Sequence, residues 1–153
     1  AIAGTQQFRV DEALGDFVVW KKDDEPAYQL AVVVDDASSS INQVLRGDDL
    51  LPSAARQALL YAALGAPSPL WLHVPLVIGS DGRRLAKRHG DTSLRSLRES
   101  GINASQVLAW CARVSGITLQ NTPMRAHDLL AGYRRACIPK QPVIWSGLSE
   151  LQA

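Results

Sequence analysis

INQVLRGDDLLPSAARQALLYAALGAPSPLWLHVPLVIG, residues 41–79, reads as a strand, a helix and a second strand in close succession. INQVLRG (41–47) alternates like a strand and stops on glycine. Ser53 can cap a helix through ARQALLYAALG, in which Ala55, Leu59, Ala62 and Ala63 share a face. Gly65 takes the C-terminal stop position of that helix, and Pro67 follows it. WLHVPLVIG (71–79) reads as one strong strand, and SDG (80–82) as the turn that ends it. The expected class is therefore α/β.

Upstream, DFVVW (16–20) is a β-rich run and KKDDEP (21–26) a charged turn closed by proline. AYQLAVVVDD (27–36) has a valine-rich centre that propensity assigns to a buried strand, although a short helix fits a run of this length equally well. Downstream the pattern turns helical. Thr92 or Ser93 can cap LRSLRES, Asn103 can cap a helix containing Val107, Leu108, Cys111 and Val114, and Thr122-Pro123 can open a third with Leu129, Leu130 and Tyr133 inward. CIPKQPVIW, with two prolines, reads as an extended tail. This places a mixed part at 1–91 and a helical appendage with its tail at 92–153.

With 46% hydrophobic and 20% charged residues, the 153-residue chain has the composition of a globular domain with a real core. No apolar run approaches the roughly 18 residues of a membrane span. The first residues, AIAGTQQFRVDE, lack the basic flank and apolar centre of a signal peptide, so a cytoplasmic location is expected. Cys111 and Cys137 show no metal or CxxC spacing and read as buried thiols, with neither metal nor disulfide. Asp35 and Asp36 lack an evident third metal ligand, His73 reads as a core or edge histidine, and the tryptophans at 20, 71, 110 and 145 as packing residues.

Charge is divided unevenly. The net charge is +1, yet residues 1–76 hold 5 Lys and Arg against 10 Asp and Glu, and residues 77–153 hold 11 against 5. The second part is thus a candidate for meeting phosphate or nucleic acid. Its most concentrated segment is DGRRLAKRHG (81–90), directly after a strand. Such a loop can bring a cation to a phosphate that is changing its bonding; it can equally be a solvated hairpin tip.

RRLAKRHG resembles the KLSKRHG form of the signature loop of class I aminoacyl-tRNA synthetases, and two further matches accompany it in order. AYQLAVVVDD is similar to the PAYNLAVVVDD stretch of glutamyl-tRNA synthetases, and VLRGDDLLPSAARQALLYAALGAPSP to their VIRGEDHL…TPRQ…LY..LG segment. The resemblance spans roughly residues 16 to 115. It implies the C-terminal half of a Rossmann-like nucleotide-binding catalytic domain that uses ATP with Mg2+, glutamate and tRNA. Tyr28 then matches the tyrosine of the glutamate pocket, and Arg46 the arginine that pairs with the substrate, a role for which a planar, permanent cation is suited. Asp49, Leu50 and Leu85 fall where the family touches ATP. Lys87 matches the second lysine of the loop, which meets the ATP phosphates, and Arg84 replaces the first while keeping its charge.

The departures carry information too. Ala86 stands for the usual serine, and Val32 for an asparagine common in full-length glutamyl enzymes. With TSLRSLRESG and YRRACIPKQPVIW, these features resemble more closely the glutamyl-queuosine tRNA(Asp) synthetases, which charge the queuosine base of the anticodon. A HIGH signature is not found, since His73, His89 and His127 sit in no HxGH pattern. The resemblance therefore implies a chain that does not complete an adenylation site alone. The open edge of a half-sheet is expected to be covered by a dimer contact or a strand rearrangement, or the N-terminal half to be supplied separately. A shortened glutamyl-tRNA synthetase and a non-catalytic nucleotide- or tRNA-binding module are the alternatives.

Overall fold

In the computed structural model, which describes residues 4–85, 93–119, 122–133 and 138–152, the chain divides into two units between Val74 and Pro75. The first unit contains α1 (Val10–Ala13), α2 (Tyr28–Ser38), β1 (Gln43–Gly47), a 3-10 turn (Asp48–Leu50), α3 (Leu51–Ala63) and β2 (Leu70–Val74). The second contains β3 (Val77–Gly79), α4 (Leu94–Glu99), α5 (Ala104–Val114), α6 (Asp128–Gly132), β4 (Val143–Trp145) and α7 (Ser149–Gln152). The boundary read at 91/92 falls at residues outside those described. No helix among the described residues is long and apolar enough to cross a membrane.

β1 and β2 pair in parallel, from Gln43 opposite Leu70 to Gly47 opposite Val74. Their connection runs through α3, so residues 43–74 form a βαβ unit, the connection that parallel strands require. The helix starts earlier than its expected cap. Leu50 precedes its first turn, Pro52 lies within that turn, and Ser53 is already inside, buried. The inward face also differs from the apolar stripe expected from Ala55, Leu59, Ala62 and Ala63. Ser53, Gln57 and Tyr61, four residues apart in succession, are the buried ones, while Leu59 is half exposed. Hydrogen-bonding partners, described below, compensate the burial of the polar pair and override the hydrophobic pattern. Tyr61 packs edge-on against Trp71 of β2, with ring centroids 6.1 Å apart.

The AVVVDD run resolves as helix α2, with Val33 fully buried. Packing against α3 outweighs the β-propensity of three valines. The helix ends in a Schellman motif: Ile41 N–H donates to Asp36 O and Ser40 N–H to Ala37 O, with Ser40 in the left-handed region at φ 55°. DFVVW does not become a regular strand. It contributes an antiparallel bridge between Trp20 and Pro26, closed by the Lys21 N–H to Glu25 O bond.

WLHVPLVIG is likewise not one strand. Pro75 separates β2 from β3, and each joins a different sheet; a proline in the middle would remove a ladder donor. β3 turns at Ser80-Asp81-Gly82, with Gly82 at φ 73°, and returns through Arg83 to Leu85. Gly79 N–H donates to Arg83 O, Leu85 N–H to Val77 O, and Ile78 bridges Arg84. On its other side β3 takes β4 from the tail in parallel, Ile78 opposite Ile144.

Ser93 caps α4 and Asn103 forms a reciprocal capping box with Gln106 on α5, both as the sequence indicates. Leu97, Ile102, Trp110 and Leu151 form the core of this unit. The Trp110 and Trp145 rings meet at 88° with centroids 5.1 Å apart. The helix expected from Thr122 is reduced to the five residues of α6, and Leu130 and Tyr133 point outward, 77% and 42% exposed. Cys111 is a half-buried free thiol whose pKa burial raises; Cys137 lies outside the described residues.

Candidate functional site

Parallel pairing of β1 with β2 sets Arg46 opposite His73, so their side chains leave the same face of the sheet. Arg46 Nε donates to His73 Nε2 at 3.2 Å. From α3, the amide oxygen of Gln57 accepts from Arg46 Nη1 at 2.9 Å. Gln57 Nε2 donates to Gln29 Oε1 of α2 at 3.0 Å, and Gln29 Nε2 donates to Ser53 Oγ at 3.1 Å. Three elements therefore converge on one guanidinium through a relay of amides.

The relay has a direction. Gln57 is only 1% exposed, so its amide must find all its partners in the protein. Because its nitrogen is committed to Gln29, its oxygen has to face Arg46. His73, 4% exposed, accepts through a ring nitrogen and is therefore neutral there, with its proton on Nδ1. Burial first, then the charge of Arg46, lowers its pKa below the usual histidine value, against the raising influence of Asp48, the Leu50 backbone and Asp49.

Arg46 itself, half-buried, is held by these two neutral acceptors. Burial lowers its pKa, and the fields of Tyr28, Asp36 and Asp49 only partly offset that. Its third nitrogen, Nη2, is buried and has no hydrogen-bond partner among the described residues. A buried donor left unpaired is costly, and more so when it belongs to a cation. Arg46 is thus a positioned cation with only neutral acceptors in its hydrogen bonds and one buried donor without a partner among the described residues.

Tyr28 opens α2 and is 55% exposed, close enough to Arg46 to act on its charge. Asp49 lies in the 3-10 turn directly after β1, with half-buried Leu50 at its end. Val32 is half-buried on α2. In the second unit, Arg84 sits on the returning arm of the β3 hairpin, exposed. The side chain of Leu85 lines an apolar pocket with Val77, Leu97 and Trp110. Ala86, Lys87 and His89 lie outside the described residues. Gln29, Ser53, Gln57 and His73 were not among the site residues expected from the sequence. The signal for two of them was available in the 53/57 spacing on one helix face; the Arg46–His73 pairing needed the strand register.

Residues 1–127 match the family model for class I tRNA synthetases (E and Q), catalytic domain. A glutamyl-Q tRNA(Asp) synthetase of Symbiobacterium thermophilum is 49% identical over 142 residues, 93% of this chain and 44% of that protein. A glutamate–tRNA ligase of Rubrobacter xylanophilus is 50% identical over 97 residues, 63% of this chain and 22% of that one. Among solved structures, a glutamate–tRNA synthetase from Elizabethkingia anophelis superimposes with a TM-score of 0.72 at 26% identity, covering 90% of this chain and 31% of that one. The chain thus spans less than half the length of the relatives it matches.

Proposed function

The chain belongs to the class I tRNA synthetase (E and Q) catalytic-domain family, and on that premise we propose that it forms the carboxylate- and phosphate-binding part of a glutamyl-queuosine tRNA(Asp) synthetase. The whole enzyme would activate glutamate with ATP and transfer it to tRNA in the cytoplasm, with the residues here forming the second half of a Rossmann-like domain. The observation that carries this reading is Arg46: half-buried, held by neutral acceptors, with Nη2 unsatisfied. A carboxylate of glutamate brought against the Arg46 guanidinium would supply the counter-charge that its hydrogen bonds lack, with the Tyr28 hydroxyl as a further donor.

Asp49, Leu50, Leu85 and Lys87 are assigned to ATP, and Arg84 and Lys87 to the charge that develops on its phosphates. Among the described residues no three or more His, Cys, Asp or Glu converge on a point, so Mg2+ enters this proposal as part of the ATP complex. The glutamyl-queuosine branch is favoured over the shortened glutamyl-tRNA synthetase because its relative aligns over 142 residues and the ligase over 97.

Glutamate titrated into the 15N-arginine-labelled chain should shift the Arg46 side-chain resonance, and Arg46→Lys, which cannot bind in the same planar way, should abolish saturation. A wild-type spectrum indifferent to glutamate would refute the assignment.

A further inference from the structure

An arginine can be held in place by a carboxylate or by neutral acceptors, and the choice decides what else it can do. A carboxylate orients the guanidinium and also cancels its charge, so an anionic ligand arriving later gains less from it. A neutral acceptor orients it and leaves the charge whole. In the first unit the second arrangement is present at both ends of the same group: Gln57 Oε1 on Nη1 and His73 Nε2 on Nε. Nη2 remains without a partner among the described residues.

Resting on the glutamate reading above, we propose that Gln57, with neutral His73 beside it, is a positioning residue that orients Arg46 without placing a carboxylate on it, so that a ligand carboxylate meets a guanidinium whose hydrogen bonds have not already neutralised it. The relay behind Gln57 enforces this. Gln57 cannot turn its donor toward Arg46 without breaking its bond to Gln29, which is itself held by Ser53. Each amide thus fixes the orientation of the one before it. The ligand class is a carboxylate, and the site excludes one particular carboxylate: its own, at position 57.

Gln57→Glu tests the idea because the relay can reverse around it. The introduced carboxylate would accept from Arg46 and from Gln29 Nε2, and Gln29 Oε1 would then accept from the Ser53 hydroxyl, so every group stays satisfied. The variant should fold with its urea midpoint not lowered and keep the Arg46 Nη1 protons slow to exchange. Its glutamate affinity should nevertheless fall by at least about tenfold, a loss of ~1.4 kcal/mol, because the side chain at position 57 then supplies the counter-charge itself. Gln57→Leu should behave differently, with the Arg46 Nη1 protons, which Gln57 accepts in the wild type, exchanging at least about tenfold faster and glutamate also binding more weakly. A purely structural glutamine predicts that both variants lose stability and that the better-folded one binds better.

The measurements are urea unfolding, 15N-arginine exchange and glutamate titration on the full chain and both variants. Wild-type affinity in Gln57→Glu would overturn the proposal, as would unchanged Arg46 exchange in Gln57→Leu. If the wild type ignores glutamate, the glutamate reading fails separately, and the exchange comparison, which uses no ligand, decides the positioning role by itself.

Discussion

Glu150 is the residue whose removal should release the C-terminal segment. Its carboxylate accepts from Trp110 Nε1 at 2.6 Å and from the backbone N–H and hydroxyl of Ser146, and Arg113 Nη2 lies 3.6 Å away. The carboxylate thereby ties α7 to α5 and closes the turn after β4, the strand that backs β3 and its basic hairpin. Trp110 is 8% exposed, so losing its acceptor leaves an indole N–H unsatisfied, at about 1–3 kcal/mol. The Ser146 bonds and the Arg113 pair are more exposed and add less. Glu150→Ala should therefore cost about 2–3 kcal/mol, and Glu150→Gln about 1, since one oxygen acceptor remains. Burial alone would raise the Glu150 pKa, but the bonds from Ser146 and Trp110 and the charge of Arg113 together hold it below 4.5. Because the folded value is the lower one, the stabilisation is complete above about pH 4.5 and fades as pH falls through the folded pKa. Urea unfolding of wild type, Glu150→Ala and Glu150→Gln at neutral and acid pH should show the gap between wild type and the Glu150→Gln variant closing at low pH. Hydrogen exchange should show residues 143–152 opening first in Glu150→Ala. A Glu150→Ala midpoint within about 0.5 kcal/mol of wild type, with those amides still protected, would refute the anchoring role.

Lys87→Ala should change stability by less than about half a kcal/mol, as an ordinary surface site does, while weakening ATP or tRNA binding more at low salt than at high. Equal binding by wild type and variant at both salt concentrations would leave the loop without a phosphate role. For His73, whose folded pKa lies below 6.5, the unfolded chain takes up the proton first. Stability should fall as pH drops below about 6.5 and level off below the folded pKa, and a flat urea profile over that window, unchanged in His73→Gln, would contradict the assigned neutral acceptor.

The parts of the fold that were legible in the sequence are those fixed locally. Asn103 with Gln106 three residues on, Ser93 before LRSLRE, and Gly65 and Gly82 at positions of positive φ each state their conformation within a few residues. The parts left open or misread are those that tertiary packing decides. Three consecutive valines favour a strand, yet α2 is a helix because Val33 is buried in a unit where α2 packs on α3. WLHVPLVIG is uniformly β-like, and only the assignment of its two halves to different sheets reveals what Pro75 does. The tail reads as extended and is so at β4, but its parallel partner, more than sixty residues earlier, was not visible.

The candidate site follows the same division for a different reason. Arg46 was identifiable because motifs surround it, whereas its supporting residues carry no motif. Gln29, Ser53 and Gln57 reach it through helix packing and His73 through register: one residue's slip of β1 against β2 would turn Arg46 and His73 to opposite faces. A polar residue on the inner face of a helix looks, in sequence, like a flaw in its hydrophobic stripe. Ser53 and Gln57 read that way, and the hydrophobic pattern accordingly selects the apolar face of Ala55 and Leu59 as the buried one. The two polar residues are inside because each finds a hydrogen-bond partner there, Gln57 on the half-buried guanidinium of Arg46 and on Gln29, Ser53 on Gln29; on the proposed reading, neutral groups do the holding because the ligand brings its own negative charge.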